Sequence, residues 1–358
     1  MKDNYLLFAI YISFFLSSIV FSFLINNLFL KFSKTLGIRS NTEDIIRWSS
    51  VEKPALGGIS FYILFLLSIA AYSIFVDQSK LLLNAHYLGL IISVNLGFLM
   101  GLADDAYDTK PLLKFAVQLT CAFMLIISGT YIQIFDHEIL NYLITVFWVV
   151  GLMNSVNMLD NMDAITACVS VSIISTTIIF ILLNNDYTNL HLMPLLGVLA
   201  ALLGFLYFNW HPSKMYMGDT GSQLLGVFLA AIGITYFWNG NNYHAEYPFS
   251  KALISPLIVF ILPLIDTTIV VINRLGKGSS PFIGGKDHTT HCLAYFGLSD
   301  RQVALVFSAI SLFSMLIIVA IEKWINWNWQ VAAALGLYII CLFLMFFWFS
   351  RRKAKREL

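Results

Sequence analysis

The sequence predicts an all-α, polytopic integral membrane protein, and three observations carry that reading. The chain has 358 residues, of which 59% are hydrophobic and only 11% charged. Soluble domains run near ~45–50% apolar and ~25% charged, so these charges cannot cover a soluble surface of this size. The apolar residues lie in long unbroken runs, whereas a lipid-facing barrel would show short alternating segments. The Lys and Arg residues collect in alternate loops, as the positive-inside rule requires. Together these exclude a soluble globular domain, a disordered chain and a nucleic-acid binder. The net charge of +1 points to no partner.

A spanning helix needs about 20 apolar residues. Eleven segments qualify: 5–30, 56–76, 86–103, 112–133, 138–158, 164–183, 191–209, 221–238, 251–273, 302–321 and 331–350. The first is too long, and its head too weakly basic, for a cleaved signal peptide, so it reads as a retained helix. With the N-terminus outside, the inner segments are 31–55, 104–114, 159–163, 210–220, 274–301 and the tail. Of the 21 Lys and Arg residues, only Lys2, Lys80, Lys251 and Lys323 then fall elsewhere. The C-terminus is expected in the cytoplasm. Trp324, Trp327 and Trp329 suit an outer aromatic belt. No repeat or low-complexity tract divides the chain, which reads as a single transmembrane domain over 1–358. The four cysteines form no CxxC pair and imply neither a disulfide framework nor a zinc site.

The acids are less expected. Twelve of the 20 fall on the inner side, seven of them in four short motifs. The first motif is Gly101-Leu-Ala-Asp104-Asp105-Ala-Tyr-Asp108, whose helical spacing brings carboxylates onto neighbouring faces. Clustered carboxylates repel unless a cation neutralises them, and Mg²⁺ takes one or two carboxylates plus substrate phosphates. The second is Asn154-Ser-Val-Asn157-Met-Leu-Asp160-Asn161-Met-Asp163. Here Asn could serve as glue between helices, but glue does not explain two aspartates. The third, Asn209-Trp-His211-Pro212 through Gly218-Asp219-Thr220-Gly221-Ser222, places a tight turn before a helix start able to receive anionic oxygens. The fourth runs from Arg274 and Lys277 to Gly284-Gly285-Lys286-Asp287-His288-Thr-Thr-His291 and suits a phosphate or sugar-phosphate. Asp266 lies inside a predicted span, a functional candidate by default. The joint reading is a membrane-surface site for Mg²⁺ and a phosphorylated substrate.

These motifs, with Pro54-Ala-Leu-Gly57-Gly58, Leu264-Ile-Asp266 and the Ser280-Pro-Phe segment, resemble the polyprenyl-phosphate N-acetylhexosamine-1-phosphate transferases, glycosyltransferase family 4. The matches run in order over residues 50–295. The resemblance implies attack of undecaprenyl (polyprenyl) phosphate on the β-phosphorus of a UDP-N-acetylhexosamine, releasing UMP, as an initiating step of cell-envelope polysaccharide synthesis. It further implies Asp104, Asp105 and Asp219 as catalytic residues. Asp219 and Asp160 would hold Mg²⁺, or Mn²⁺ in its place. Lys114, Asn154, Asn157, Asp160, Asp163, Asn209, Arg274, His288 and His291 would bind substrate. The implied partners are the lipid phosphate, the nucleotide sugar and the bilayer, with a homodimer an open possibility and no nucleic acid. The implied location is the bacterial inner membrane, with the site facing the cytoplasm. The span count looks more like the N-acetylglucosamine-type members. Two departures stand out. The family's His-x-His-His reads His288-Thr-Thr290-His291 here, and the basic-His stretch before Pro-x-x-Gly-Gly reads Arg47-Trp-Ser-Ser-Val-Glu-Lys53. A membrane prenyltransferase using Asp104-Asp105-x-x-Asp108 as a diphosphate–Mg²⁺ motif is the rival reading, and an anion transporter is the reading from another class.

Overall fold

The structure is a computed structural model that describes residues 2–33, 53–76, 84–240, 248–280 and 285–354. The basic stretch with Arg39 and Arg47, and the Pro281-Phe282 pair, lie outside the described residues. All regular structure among the described residues is helical: α1 (Lys2–Phe32), α2 (Gly57–Phe75), α3 (Ala85–Tyr107), α4 (Pro111–Ile127), α5 (Glu138–Leu159), α6 (Ile165–Leu183), α7 (Leu192–Asn209), α8 (Gly218–Ile232), α9 (Phe249–Val259), α10 (Ile261–Gly276), α11 (Thr289–Tyr295), α12 (Asp300–Lys323) and α13 (Trp329–Ala354).

Nine of the described helices are long and apolar enough to cross a bilayer, and the bent pair α9–α10 makes up to ten. Two of the eleven expected spans therefore take another form. The ninth is broken by 80° between Val259 and Ile261. Pro263 explains the break: its ring clashes with the carbonyl four residues back, on Val259, where α9 stops. The fourth is a helix of only 17 residues, about 25 Å long against a hydrocarbon core of about 30 Å. Pro111 sits in its first turn, and Gly129 at φ 90° stops it.

Local chemistry sets the other ends. Asn84 caps α3 by accepting from the Tyr87 N–H, and Ser299 forms a capping box with Gln302 on α12. Asp108 takes a left-handed conformation at φ 53° and ends α3. The most enclosed span is α8 with its π-helical extension (Gly233–Trp238), 94% buried against 11% for α13. It packs against α2, α3, α5 and α6. On α1 and α13 the large apolar side chains point outward, Leu16, Val20, Leu24, Leu337 and Leu344 among them. Such a surface belongs against acyl chains. The chain is a multi-pass membrane protein.

The beginning of α8 makes close backbone contacts with the segment before α2 and with α3. Tyr216 donates to the Pro54 carbonyl at 3.0 Å, and the Gly57 and Gly58 N–H groups donate to the Tyr216 and Met217 carbonyls at 3.1 and 3.0 Å. A Cβ on Gly58 would lie 2.1 Å from the Gly221 nitrogen, and one on Gly101 would lie 2.2 Å from the Asp219 carbonyl oxygen. The Pro-x-x-Gly-Gly segment and Gly101 thus let α2 and α3 meet α8 backbone to backbone.

Candidate active site

Helix ends from α3, α4, α5, α7, α8 and α10 meet at one end of the bundle. At the centre stands the Lys114 ammonium, on the first turn of α4. It bonds Asp219, and it bonds Asp104 at 3.2 Å. The Thr109 N–H also donates to Asp104, at 3.1 Å, and its hydroxyl does too. On the other side, the Asn157 amide donates to Asp219 at 2.7 Å and to the Ser222 hydroxyl at 2.8 Å. Four sequence-predicted residues, Asp104, Lys114, Asn157 and Asp219, therefore share one hydrogen-bonded group.

Asp105 stands behind this group. Its carboxylate accepts from the Asp219 N–H at 2.9 Å, the Thr220 N–H at 2.9 Å and the Thr220 hydroxyl at 2.6 Å. Met217, the residue before α8, provides no side-chain cap. Asp105 supplies it from α3, satisfying N–H groups that a helix start leaves unpaired. Gly218, at φ 73°, carries no Cβ, which would sit 2.6 Å from Asp105 Oδ2. Asp108 is exposed at the end of α3, so the three acids of the DDxxD reading face three different surroundings.

Asp163 and Asn209 bind loops together. Asp163 accepts from the Ser213 N–H at 2.9 Å, the Ser213 hydroxyl at 2.7 Å and His211 Nδ1 at 3.1 Å. Lys53 lies 3.7 Å away. Asn209 accepts from the Ala164 N–H at 3.0 Å and donates to the Met215 carbonyl at 2.9 Å. Ala164 is held at φ 66°.

The histidine segment forms an adjoining group. Arg274 grips Asp287 through two hydrogen bonds, at 2.9 and 2.7 Å. Asp266 bonds His288 Nδ1 at 2.8 Å, the Thr289 N–H at 2.7 Å and the Thr289 hydroxyl at 2.6 Å, so it caps α11 as Asp105 caps α8. The His291 ring lies 5.4 Å from that of His288. The Thr290 hydroxyl donates to Asn161 at 2.6 Å, tying the histidine segment to the turn after α5. The position that departs from the family's histidine pattern is thus the bridge to the 160–163 turn.

A divalent cation fits on donor chemistry. Asp219, Asp160 and the Asn157 carbonyl oxygen offer only hard oxygen donors. Asp160 is short of positive charge. Burial, then the charges of Asp219, Asp105 and Asp163, push its carboxyl up to about 8, against one lowering hydrogen bond from Thr166. Among the described residues no three His, Cys, Asp or Glu side chains are arranged to hold a metal by themselves. A bound ion would share its coordination with substrate phosphates. Asp287 differs. Burial alone would raise it, but the Arg274 guanidinium outweighs burial and holds it below the usual carboxylate range.

The two shifts act in opposite directions. The folded protein keeps a proton on Asp160 that the unfolded chain releases near pH 4, so stability falls as pH rises between about 4 and 8. Asp287 contributes stability above about pH 4 that is lost below it. The thermal midpoint of cation-free protein is therefore expected to fall between about pH 5.5 and pH 8.5, and added Mg²⁺ to flatten that slope. Differential scanning fluorimetry of detergent-purified protein measures both. A cation-free midpoint that rises over this window contradicts the assignment.

Sequence reasoning singled out the acids, and Thr220 and Ser222 as part of the third motif without a role, but missed Gln118 and Gln223, which lie one helical turn from Lys114 and Asp219.

Fold and site together define an integral membrane protein with a polar, carboxylate-bearing centre at one end of its helices. The model of glycosyl transferase family 4 matches residues 87–237. The chain is 30% identical over 302 residues to a probable undecaprenyl-phosphate N-acetylglucosaminyl 1-phosphate transferase of Bacillus subtilis, covering 82% of this chain and 78% of that protein. It is 29% identical over 281 residues to the decaprenyl-phosphate N-acetylglucosaminephosphotransferase of Mycolicibacterium smegmatis, covering 71% and 68%. It is 32% identical over 232 residues to a phospho-N-acetylmuramoyl-pentapeptide-transferase of Streptococcus agalactiae, covering 58% and 67%. The chain belongs to glycosyl transferase family 4, the polyprenyl-phosphate N-acetylhexosamine-1-phosphate transferases.

Proposed function

We propose that this protein transfers N-acetylglucosamine 1-phosphate from UDP-N-acetylglucosamine to undecaprenyl phosphate and releases UMP, initiating a cell-envelope polysaccharide. A lipid-phosphate oxygen bonds to the β-phosphorus of the nucleotide sugar. The bond from that phosphorus to the oxygen bridging the two phosphates breaks, and UMP leaves with the electron pair. The observation that carries this reading is the group Asp104–Lys114–Asp219–Asn157 at the helix ends. Phosphoryl transfer is mostly positioning and charge stabilisation, and this group offers a cation and oxygen donors where a lipid head meets a soluble nucleotide.

In this reading Asp219, with Asp160 and Asn157, would hold Mg²⁺, which would supply charge neutralisation to the diphosphate. Lys114 orients Asp104 and Asp219 and offers charge to phosphate oxygens. A phosphate monoester, with a second pKa of about 6, is already largely ionised near neutral pH. Asp104 therefore serves to position the lipid phosphate, and no strong base is needed. Arg274, His288 and His291 stand on the segment suited to the sugar and its phosphates. The site faces the cytoplasm of the inner membrane, the side to which the Lys and Arg distribution assigns these loops.

The test is purified protein in detergent with undecaprenyl phosphate and a panel of UDP-sugars, with UMP as the readout. Lipid-dependent UMP release from UDP-N-acetylglucosamine, abolished by chelation, is the expected result. Transfer of prenyl groups, or UMP release independent of lipid phosphate, overturns the reading.

A further inference from the structure

Lys114, Asn157 and Asp219 stand on α4, α5 and α8. One helical turn deeper, at i+4, i−3 and i+4, the same helices carry Gln118, Asn154 and Gln223. Gln118 bonds both of the others. The Gln118 amide donates to Asn154 at 3.3 Å and to Gln223 at 3.1 Å, and Asn154 donates back to Gln118 at 2.8 Å. Gln118 is 1% exposed and Gln223 is fully buried. The site thus has two tiers, a charged one at the helix ends and an uncharged one beneath it.

The lower tier is poorly explained as adhesive. Apolar side chains would pack these helices without burying amides, and amide bonds between membrane helices contribute little. Moreover, Gln223 Nε2 is buried with no acceptor among the described residues. A buried donor left unpaired opposes folding. Hydrogen bonds are directional where packing is not, and a buried amide can fix one register between helices at a cost in stability. A slip along α4, α5 or α8 would break these bonds to Gln118.

We propose that Gln118, Asn154 and Gln223 are positioning residues that set the axial register of α4, α5 and α8, so that Lys114, Asn157 and Asp219 converge one turn above. The proposal rests on the phosphotransfer reading of that upper tier. Asn154 then acts through its neighbours, since its amide already bonds Gln118 and the Val150 carbonyl at 2.9 Å.

Gln223→Met keeps the side chain's length and removes the unpaired donor. Three measurements on the full-length purified protein test the proposal: UMP-release kinetics, thermal midpoint, and the Mg²⁺ concentration giving half-maximal thermal stabilisation. The expected result is a kcat lowered about tenfold with KM values within about twofold, a midpoint unchanged or higher, and a half-maximal Mg²⁺ raised about tenfold. The double variant with Gln118→Met is expected to lower kcat no further than Gln223→Met alone, because both substitutions break one network. Unchanged kcat and Mg²⁺ response overturn the proposal. So does a kcat loss that tracks a lowered midpoint, because that marks simple glue. If the wild-type protein releases no UMP, the reaction assignment fails, and the Mg²⁺ titration still decides the register.

Discussion

Asp219→Asn is expected to abolish Mg²⁺-dependent UMP release, with a loss on the order of 10³ or more, while the protein stays folded. The substitution is nearly isosteric. An asparagine oxygen at this place can still accept the Asn157 amide bond, which measures 2.7 Å in the native chain. Lys114 keeps Asp104 as a partner at 3.2 Å. The Asp105 cap holds the backbone at this residue and is untouched. What goes is the negative charge toward a cation and its phosphates. The Mg²⁺-dependent rise in thermal midpoint should go with it. Activity within about tenfold of wild type would sink the metal assignment.

Gly101→Ala is the second large effect, and it acts through geometry alone. The new methyl would lie 2.2 Å from the Asp219 carbonyl oxygen, 2.5 Å from its carbon and 2.6 Å from the Thr220 Cα. All three are backbone atoms of α8, so no side chain can swing aside. Overpacking of this kind costs about 1–3 kcal/mol. Moving a site by about 1 Å costs on the order of 10²-fold in rate. The expected outcome is a lowered thermal midpoint together with a kcat loss near that size. A variant with wild-type turnover would show that α3 and α8 do not need to meet this closely.

Much of this was legible in the sequence because the chain has so few charges to spend. Asp104, Lys114, Asn157 and Asp219 stood out against apolar runs, and they share one hydrogen-bonded group. The helical character followed from the same runs. Two things were not legible. Residue type does not say which atoms a carboxylate meets. Asp105 and Asp266 look like Asp104 and Asp219 on paper, yet both accept backbone N–H groups of another helix. Nor does hydropathy report axial geometry. Segment 251–273 scores as one span, but Pro263 turns it through 80°. The amide tier hid for a related reason. Gln118 and Gln223 read as isolated polar residues until the three helices are set side by side.

The two helix caps that arrive from elsewhere have a consequence for biogenesis. Asp105 is made 115 residues before the Thr220 it will bind. Until α8 is made, that carboxylate lacks the N–H groups it caps. The first turn of α8, for its part, has no local residue able to close it. The Asp104–Lys114–Asn157–Asp219 group therefore cannot close until α8 is made, and a chain stalled before α8 can present most of its spans without it. Turnover in a preparation of this protein thus counts molecules whose insertion has reached at least α8.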